Sequence, residues 1–504
     1  MDRACCGAVA AKGKHAYATI HYEGTKNDDG RCYSAASPVP LPLCRPLTGA
    51  RLPSSTVPPF LRGARAAAYV LGIRTLIASV REAGNDEDFL CLMAPNVRAS
   101  SRRILERDGC ILRNVSIIEN PYRDHVLGHF LFTLIKLHLW NQTDYDRLIY
   151  MDADNIALGR LSGLFACGHF CAEYMNPVNF HTGLLVIRPS AEEFDGMLRA
   201  LHDPSINSYD GADQGFLTAY FPYTRMINAP LFDERACIAK GGCEDPLNRL
   251  PVGYNLNAFW FYEKGHWGLY RQHDMPWSDA DPPGVTLAFC VPPWLKPWFW
   301  WSYILMDENW RTWHEKRQLL GEDDAMLLPL YLLPVALLVA AVHYVSRALH
   351  RLQDAFVSSV VRMRGFTMSY GLISVYFSLT ATFKAIPATI NPREGWELLI
   401  VYQTALLACC VMIFQALHGV HHSAFVTFKH LAPTLVIHLL NWWTTHYRMY
   451  PVMTVHVGRI GMLAGLFVVW VASQLRIFVE AASAAAKLKT QTRLDTPTFL
   501  RATH

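Results

Sequence analysis

The 504-residue sequence is poor in charge: Asp, Glu, Lys and Arg make up 17% of it, and the net charge is only +4 at neutral pH. That balance gives no argument for a nucleic-acid partner. Cysteine is sparse as well, with 13 in the whole chain, too few for a dense disulfide framework. Cys167 and Cys171, or Cys237 and Cys243, could pair in an oxidising compartment, and buried free thiols are the alternative. The opening MDRACCGAVAAKGKH has no apolar core segment, so no secretory leader is expected in it. The stretch Gly30–Gly63, with PVPLPLCRPL and LPSSTVPPF, fits no regular element. It interrupts a domain, to about residue 66, and reads as a surface insertion, a disordered loop or a mistranslated gene segment.

Apolar residues are abundant, at 51%, and unevenly spread. Residues 1–325 have the mixed composition of a globular α/β domain, and 326–504 are strongly apolar. Leu327–Val345 runs nineteen residues without a charge, long enough to span a bilayer. Further spans are expected at Phe366–Ala388, Leu398–Leu417, Phe425–Trp443 and Ile460–Leu475. The loop after the first carries Arg347, Arg351, Arg362 and Arg364, and the tail carries Arg476, Lys487, Lys489, Arg493 and Arg501. Basic residues favour the cytosolic side, so about five spans put residues 1–325 in the lumen and the tail in the cytosol. The sequons at Asn114 and Asn141 are then open to glycosylation. His418-Gly-Val-His421-His422 has the spacing of one di-iron histidine box, but no second box accompanies it. Histidines at a helix end are the better reading. Trp298, Trp300, Trp301, Trp310 and Trp313 fit either an interfacial belt or packing against the sheet.

Strand-like and helix-like segments alternate through the first part. Strands are expected at His15–Tyr22, Phe89–Met93, Val115–Ile118, Arg147–Met151 and Phe180–Ile187, and helices at Tyr69–Ala83, Ser100–Asp108 and Leu131–Trp140. Such alternation predicts a mostly parallel sheet covered on both faces. The segment LIYMDADNIALG (148–159) is the most informative. Its apolar run closes a strand, and Asp152 and Asp154 follow at the edge where open α/β sheets bind ligands. Two side chains two residues apart on extended backbone point the same way. Two carboxylates so placed repel unless a cation lies between them. Mg²⁺ or Mn²⁺ with a nucleotide diphosphate is the natural occupant. A solvated turn is the plain alternative.

Taken together, YVLGIRTLIASVREAG, TLIKLHLWNQTDYDRLIYMDAD, FHTGLLVIRPS, DQGFLTAYFP, YNLNA and LKPWFWW cover most of 69–320. In that order they resemble glycosyltransferase family 8, above all its plant inositol phosphorylceramide glucuronosyltransferases, and more distantly glycogenin. The resemblance implies a Rossmann-like GT-A domain followed by an all-α, multi-span membrane domain, and a retaining transfer from a UDP-sugar with Mn²⁺ or Mg²⁺. It assigns the metal to Asp152 and Asp154 and the leaving UDP to that metal and Lys296. It sets Lys136 near the donor sugar or phosphate, and Asp213 and Gln214 facing the donor sugar. Thr19 and Tyr22 take the uracil side, and His181 and Gly183 contact the donor.

Without the resemblance, Lys136 is an ordinary helix lysine, Asp213 a helix cap and Tyr22 plain core. Two positions depart from the family. Its third metal ligand, a His before Gly-x-x-Lys-Pro-Trp, is replaced in LAFCVPPWLKPW by Phe289 or Cys290. Cys290 could ligate, although thiolate suits Mn²⁺ poorly, and His266 or His273 could substitute. The second is His181, where the family has Asn.

The resemblance implies a lipid acceptor such as inositol phosphoceramide, a membrane-embedded enzyme of the Golgi or ER with a luminal catalytic domain, and glucuronic acid among the possible sugars. A protein or polysaccharide acceptor remains open, as does a membrane scaffold whose catalysis has lapsed.

Overall fold

The computed structural model describes residues 14–22, 32–34, 37–41, 65–123, 130–174, 179–221, 229–258, 284–305, 307–322, 328–351, 364–417 and part of 469–483. His266, His273, the histidines at 418–422 and the expected span Phe425–Trp443 lie outside the described residues. The chain forms two compact units: Met1–Trp298 with Met306–Gly321, and Phe299–Leu305 with Glu322–His504.

The first unit is built on a seven-stranded mixed sheet. Its strands are β1 (His15–His21), β4 (Asp88–Met93), β5 (Ile111–Asn114), β6 (Arg147–Met151), β8 (Phe170–Tyr174), β9 (Phe180–Ile187) and β10 (Leu247–Leu250). They lie in the order β10-β8-β9-β6-β1-β4-β5. β1 runs parallel to β4 and β6, and β4 to β5, whereas β9 is antiparallel to both β6 and β8. All eight residues of β9 are buried, as expected of a strand covered on both faces. Leu184, Leu185, Val186 and Ile187 are fully enclosed, each contributing about 1.5–3 kcal/mol by burial. Two short strands, β2 (Cys32–Ser34) and β3 (Ser37–Leu41), pair antiparallel inside the stretch expected to be irregular.

Helix α1 (Arg65–Glu82) buries Val70, Ile73, Leu76, Ile77 and Val80, one face at helical spacing. Its Ser79 hydroxyl accepts the Ala157 N–H at 2.9 Å. α2 (Ala99–Arg107) leads into β5, which lies four residues before the strand expected at 115–118. Val115 continues the ladder by one hydrogen bond to the Met93 carbonyl, and Val115 and Ile118 are then buried from coil. Instead of an α-helix, Thr133–Leu139 forms 3-10 turns with every side chain buried. α3 (Ala191–Ala200) starts at Ser190, whose hydroxyl accepts the Glu193 N–H, a capping arrangement. Helices α4 (Asp213–Tyr220) and α5 (Glu234–Ala239) follow, and α6 (Asp307–Gln318) completes the unit.

A second, three-stranded sheet has the order β11 (Leu256–Asn257), β12 (Thr286–Ala288) and β7 (Asn155–Ala157). Three cysteine pairs are bonded in this unit: Cys91–Cys110, Cys167–Cys171 and Cys237–Cys243. Trp298, Trp310 and Trp313 are fully buried within it, which selects packing over an interfacial belt for these three. Trp298 meets Tyr69, and Trp310 meets Phe289.

The second unit contains α7 (Leu328–Arg351), α8 (Arg364–Ala385) and α9 (Pro392–Leu417). Among the described residues, α9 alone is long and apolar enough to cross a membrane, with a mean hydropathy of 2.0. Trp300 packs here between Phe383 and Trp396. Gln403 of α9 is fully buried and donates to Ser378 Oγ of α8 at 2.9 Å.

Candidate active site

The topology explains why residues distant in sequence meet. Asp152 follows the carboxyl end of β6. Because β9 is antiparallel to β6, with Met151 opposite Leu184, the beginning of β9 reaches that same edge. The Asp152 N–H donates to the Gly183 carbonyl at 2.9 Å, and Asn155 Nδ2 donates to it at 2.9 Å. β7, just after the two acids, pairs with β12, with Asn155 opposite Ala288. That pairing delivers Phe289, Cys290 and the segment leading to Lys296; the Phe289 N–H donates to the Asp154 carbonyl at 3.1 Å.

Two buried lysines hold the acids. Lys136, 3% exposed, is no surface lysine. Its Nζ lies 2.6 Å from Asp213 Oδ2 and 3.3 Å from Asp152 Oδ1, and it donates to the Thr182 carbonyl at 3.0 Å. Thr182 Oγ1 also donates to Asp213 Oδ2 at 2.8 Å, and the Asp213 N–H donates to Thr133 Oγ1 at 3.3 Å. Lys296 pairs with the Asp154 carboxylate and donates to the Phe289 carbonyl at 2.8 Å. Both lysines are held above the ordinary lysine range. Burial opposes this as the largest effect, and the neighbouring carboxylates outweigh it, Asp152 and Asp213 for Lys136 and chiefly Asp154 for Lys296. Both ammonium groups are therefore charged at neutral pH.

Asp152 is raised above the usual carboxylate range. Burial is the main cause, Lys136 opposes it, and the Asp154 and Asp213 charges add to it. The Tyr150 hydroxyl donates to Asp152 Oδ1.

His181 and Gly183 lie against each other. A Cβ on Gly183 would stand 2.4 Å from the His181 ring and 3.5 Å from Asp152 Oδ2, so only glycine fits between them. His181 Nδ1 accepts from the Gly183 N–H at 3.2 Å and from Asn255 Nδ2. Burial lowers the His181 pKa to about 4, with Lys136 adding to the effect. The ring is thus neutral at pH 7, and Nε2 carries its proton toward Cys290 Sγ, 3.0 Å away. Burial pushes the Cys290 thiol up, the nearby Asp154 charge adding to the effect.

Thr19 is fully buried near the end of β1, and its hydroxyl has no hydrogen-bond partner among the described residues. Tyr22 packs edge-on against Phe132. Gln214 Oε1 accepts the Thr182 N–H at 3.4 Å, and its Nε2 donates to the Tyr209 hydroxyl at 2.6 Å. The edge thus gathers Lys136, Asp152, Thr182, Gly183, Asp213 and Gln214 on one side, and Asp154, Lys296 and Phe289 on the other. Sequence reasoning missed Tyr150, Thr182, Asn255 and Glu173. Tyr150, Thr182 and Asn255 stood inside the quoted LIYMDAD, FHTGLL and YNLNA segments, but Glu173 carried no sequence signal. Burial raises the Glu173 pKa to about 8, against a hydrogen bond from Asn255.

The donor chemistry at this edge suits a divalent cation. Asp152 and Asp154 offer hard carboxylate oxygens, and Mg²⁺-like ions commonly take one or two carboxylates and complete their shell with phosphate oxygens and water. Among the described residues no three His, Cys, Asp or Glu side chains gather as a ligand cluster. The residues therefore fit a cation shared with a diphosphate better than an all-protein cage.

A mixed sheet of this order, with acids and lysines at the carboxyl edge of β6, defines a GT-A type α/β domain. No family model matches the chain. It is 34% identical over 347 residues to PGSIP8 of Arabidopsis thaliana, a protein assigned as a glucuronosyltransferase, covering 67% of this chain and 66% of that protein. To inositol phosphorylceramide glucuronosyltransferase 1 of Arabidopsis thaliana it is 30% identical, over 55% of this chain and 51% of that protein. To glycogenin-1 of Mus musculus it is 31% identical, over 39% of this chain and 55% of that protein. The glycosyltransferase GlyE of Streptococcus pneumoniae is similar at 15% identity and a TM-score of 0.35, over 61% of each chain. The chain belongs to the glycogenin-like glycosyltransferases of family 8. It spans about two thirds of the length of PGSIP8 and about half that of the other two relatives.

Proposed function

We propose that the chain is a retaining glycosyltransferase that moves a sugar, with glucuronic acid the first candidate, from a UDP-sugar to a membrane lipid headgroup such as inositol phosphoceramide. The observation that carries this reading is the meeting of two buried, charged lysines with Asp152, Asp154 and Asp213 at one sheet edge. Rupture of the bond between sugar and diphosphate sends negative charge onto UDP. Preorganised cations in a water-poor site stabilise such charge strongly. Lys296 receives the diphosphate from one side and Lys136 from the other. Asp213 and Gln214 orient the sugar hydroxyls, and Thr182 holds Asp213 in place. Thr19, with its unsatisfied hydroxyl, and Tyr22 border the place for uracil. Asp152 and Asp154 would hold a Mn²⁺ or Mg²⁺, which when bound neutralises diphosphate charge.

Membrane attachment is supported by α9 and by the apolar exteriors of its neighbours. Leu333, Leu337 and Tyr344 of α7 and Leu372, Ile373 and Tyr376 of α8 are all exposed, more apolar surface than a water-facing unit carries. The three bonded cysteine pairs support an oxidising compartment, and so a luminal first unit in the Golgi or ER. The lipid acceptor and glucuronic acid are taken from the relatives.

The test is to incubate membranes holding the full chain with UDP-glucuronic acid, UDP-glucose, UDP-galactose and GDP-mannose, with Mn²⁺, and to analyse both released nucleotide and the lipid extract. A sugar-bearing inositol lipid is expected. Nucleotide release with the label in protein or polysaccharide would redirect the acceptor. No release from any donor would leave a scaffold.

A further inference from the structure

The loop before α4 holds an aromatic ring at the outer rim of this site. Tyr209 is 54% exposed, more than any other large apolar side chain described in the first unit. Exposed tyrosines ordinarily keep their rotamer freedom, and fixing one costs entropy without a burial gain. Here both ends are fixed. The hydroxyl accepts from Gln214 Nε2 at 2.6 Å. In the same loop, Asp210 Oδ1 accepts the N–H groups of Ala212 at 2.8 Å and Gly215 at 3.0 Å, and Asn120 Nδ2 donates to the Gly211 carbonyl at 2.9 Å. Gly215 permits this closeness: a Cβ there would stand 2.4 Å from Asp210 Oδ1 and 2.4 Å from Ser208 Oγ.

The side chains around the ring form a gradient of depth. Lys136 and Asp213 are 3% and 5% exposed, Gln214 is half-buried, and Tyr209 is outermost. A donor whose diphosphate lies against the lysines fills the deep part. A ring at the rim then faces whatever arrives second. An aromatic face, held still, offers its electron-rich surface to the C–H groups of a saturated polyol ring, and preorganisation removes the ordering cost of binding. We propose that Tyr209 is the platform on which the acceptor's polyol ring, a pyranose or a cyclitol, stacks for transfer. The inference rests on the transfer reading above and adds a specificity-determining contact to it.

The experiment uses the full chain in detergent, saturated with UDP, and titrates myo-inositol and methyl β-glucoside as ring probes by saturation-transfer NMR. UDP affinity by calorimetry serves as the donor-side readout. Wild type should transfer saturation to the ring C–H protons of at least one probe. Tyr209→Ala should weaken that binding tenfold or more, and Tyr209→Phe, which keeps the face but loses the tie to Gln214, only a few-fold. UDP affinity should stay within twofold in both. Tyr209→Trp and Tyr209→Leu repeat the contrast of aromatic and non-aromatic side chains should the alanine variant not fold. Ring binding by Tyr209→Ala or Tyr209→Leu equal to wild type, or UDP affinity shifted as much as ring affinity, overturns the inference, as does a UDP-bound wild type that binds neither ring. Absence of UDP binding in the wild type instead strikes the transfer reading, and this inference falls with it.

Discussion

Replacing Lys136 with methionine keeps the length of the side chain and removes its charge. Lys136 is surrounded by Asp213 Oδ2 at 2.6 Å, Asp152 Oδ1 at 3.3 Å and the Thr182 carbonyl at 3.0 Å. The Asp213 side chain is 7% exposed, so water cannot replace the ammonium. Removing one partner from a buried pair typically costs about 3–5 kcal/mol, because the remaining charge stays buried and uncompensated. For a domain of this size about 2 °C accompanies each kcal/mol, so Tm should fall by about 6–10 °C at pH 7.5. The pH dependence carries the sharper test. Lys136 at present opposes the burial that raises Asp152. Without it the Asp152 pKa rises further, so the variant takes up a proton at a higher pH than wild type. The deficit should therefore be largest at pH 7.5 and shrink toward pH 5, where protonation removes the stranded charge. Lys136→Met with Asp213→Asn should recover part of the loss, since the second change neutralises a carboxylate the first left unpaired. Differential scanning fluorimetry of the full chain in detergent reads all three variants. A single-variant loss under about 1 kcal/mol, a deficit that grows on acidification, or a double variant worse than the sum of the singles would refute this electrostatic account.

Asp152→Asn and Asp154→Asn should each lower UDP release a hundredfold or more, about 3 kcal/mol, and Asp154→Asn should lower Tm as well, because it leaves the buried Lys296 ammonium without its carboxylate; retained activity in either variant would remove the diphosphate site from this edge. Glu173 is protonated in the fold up to about pH 8, so its contribution to stability is fully present below the ordinary carboxylate pKa and is lost as pH rises to about 8. At about 1.4 kcal/mol for each pH unit, the interval from about 4.5 to about 8 sets a ceiling of about 5 kcal/mol; Glu173→Gln should flatten stability against pH there, and an unchanged profile counts against a buried neutral acid. Gly183→Ala places a methyl 2.4 Å from the His181 ring, and should raise the donor KM several-fold while costing about 1–3 kcal/mol of stability by overpacking, which parallel kinetics and melting will check. In sealed microsomes the first unit should resist added protease while a C-terminal tag is cut, and the reverse pattern would overturn the luminal orientation.

The strands with continuous apolar runs were legible in the sequence. β1, β4, β6 and β9 fall within a residue or so of their expected bounds because burial on both faces demands such runs. β5 was not legible, since ILRN is half exposed and its ladder is set by its neighbour β4. The hairpin β2–β3 was hidden by proline and serine, which argue against strands in isolation. Thr133–Leu139 is buried on all its faces and forms 3-10 turns, a geometry its apolar pattern does not distinguish from an α-helix.

The site was legible to the extent that its residues are chemically unusual in their own segments: acids after a strand, a lysine in an apolar run, Asp-Gln at a helix start. Partnership was not legible, because pairing depends on strand direction. FHTG opens its strand, whereas the two acids follow theirs. Chemistry at the start of one strand and the end of another can share an edge only if the two strands run in opposite directions. Placing both segments at one site therefore required β9 to be antiparallel to β6, as it is. The expectation of a mostly parallel sheet concealed that requirement. The same reversal makes Thr182 the common support of Lys136 and Asp213, so the first residues of β9 set the geometry on which both depend.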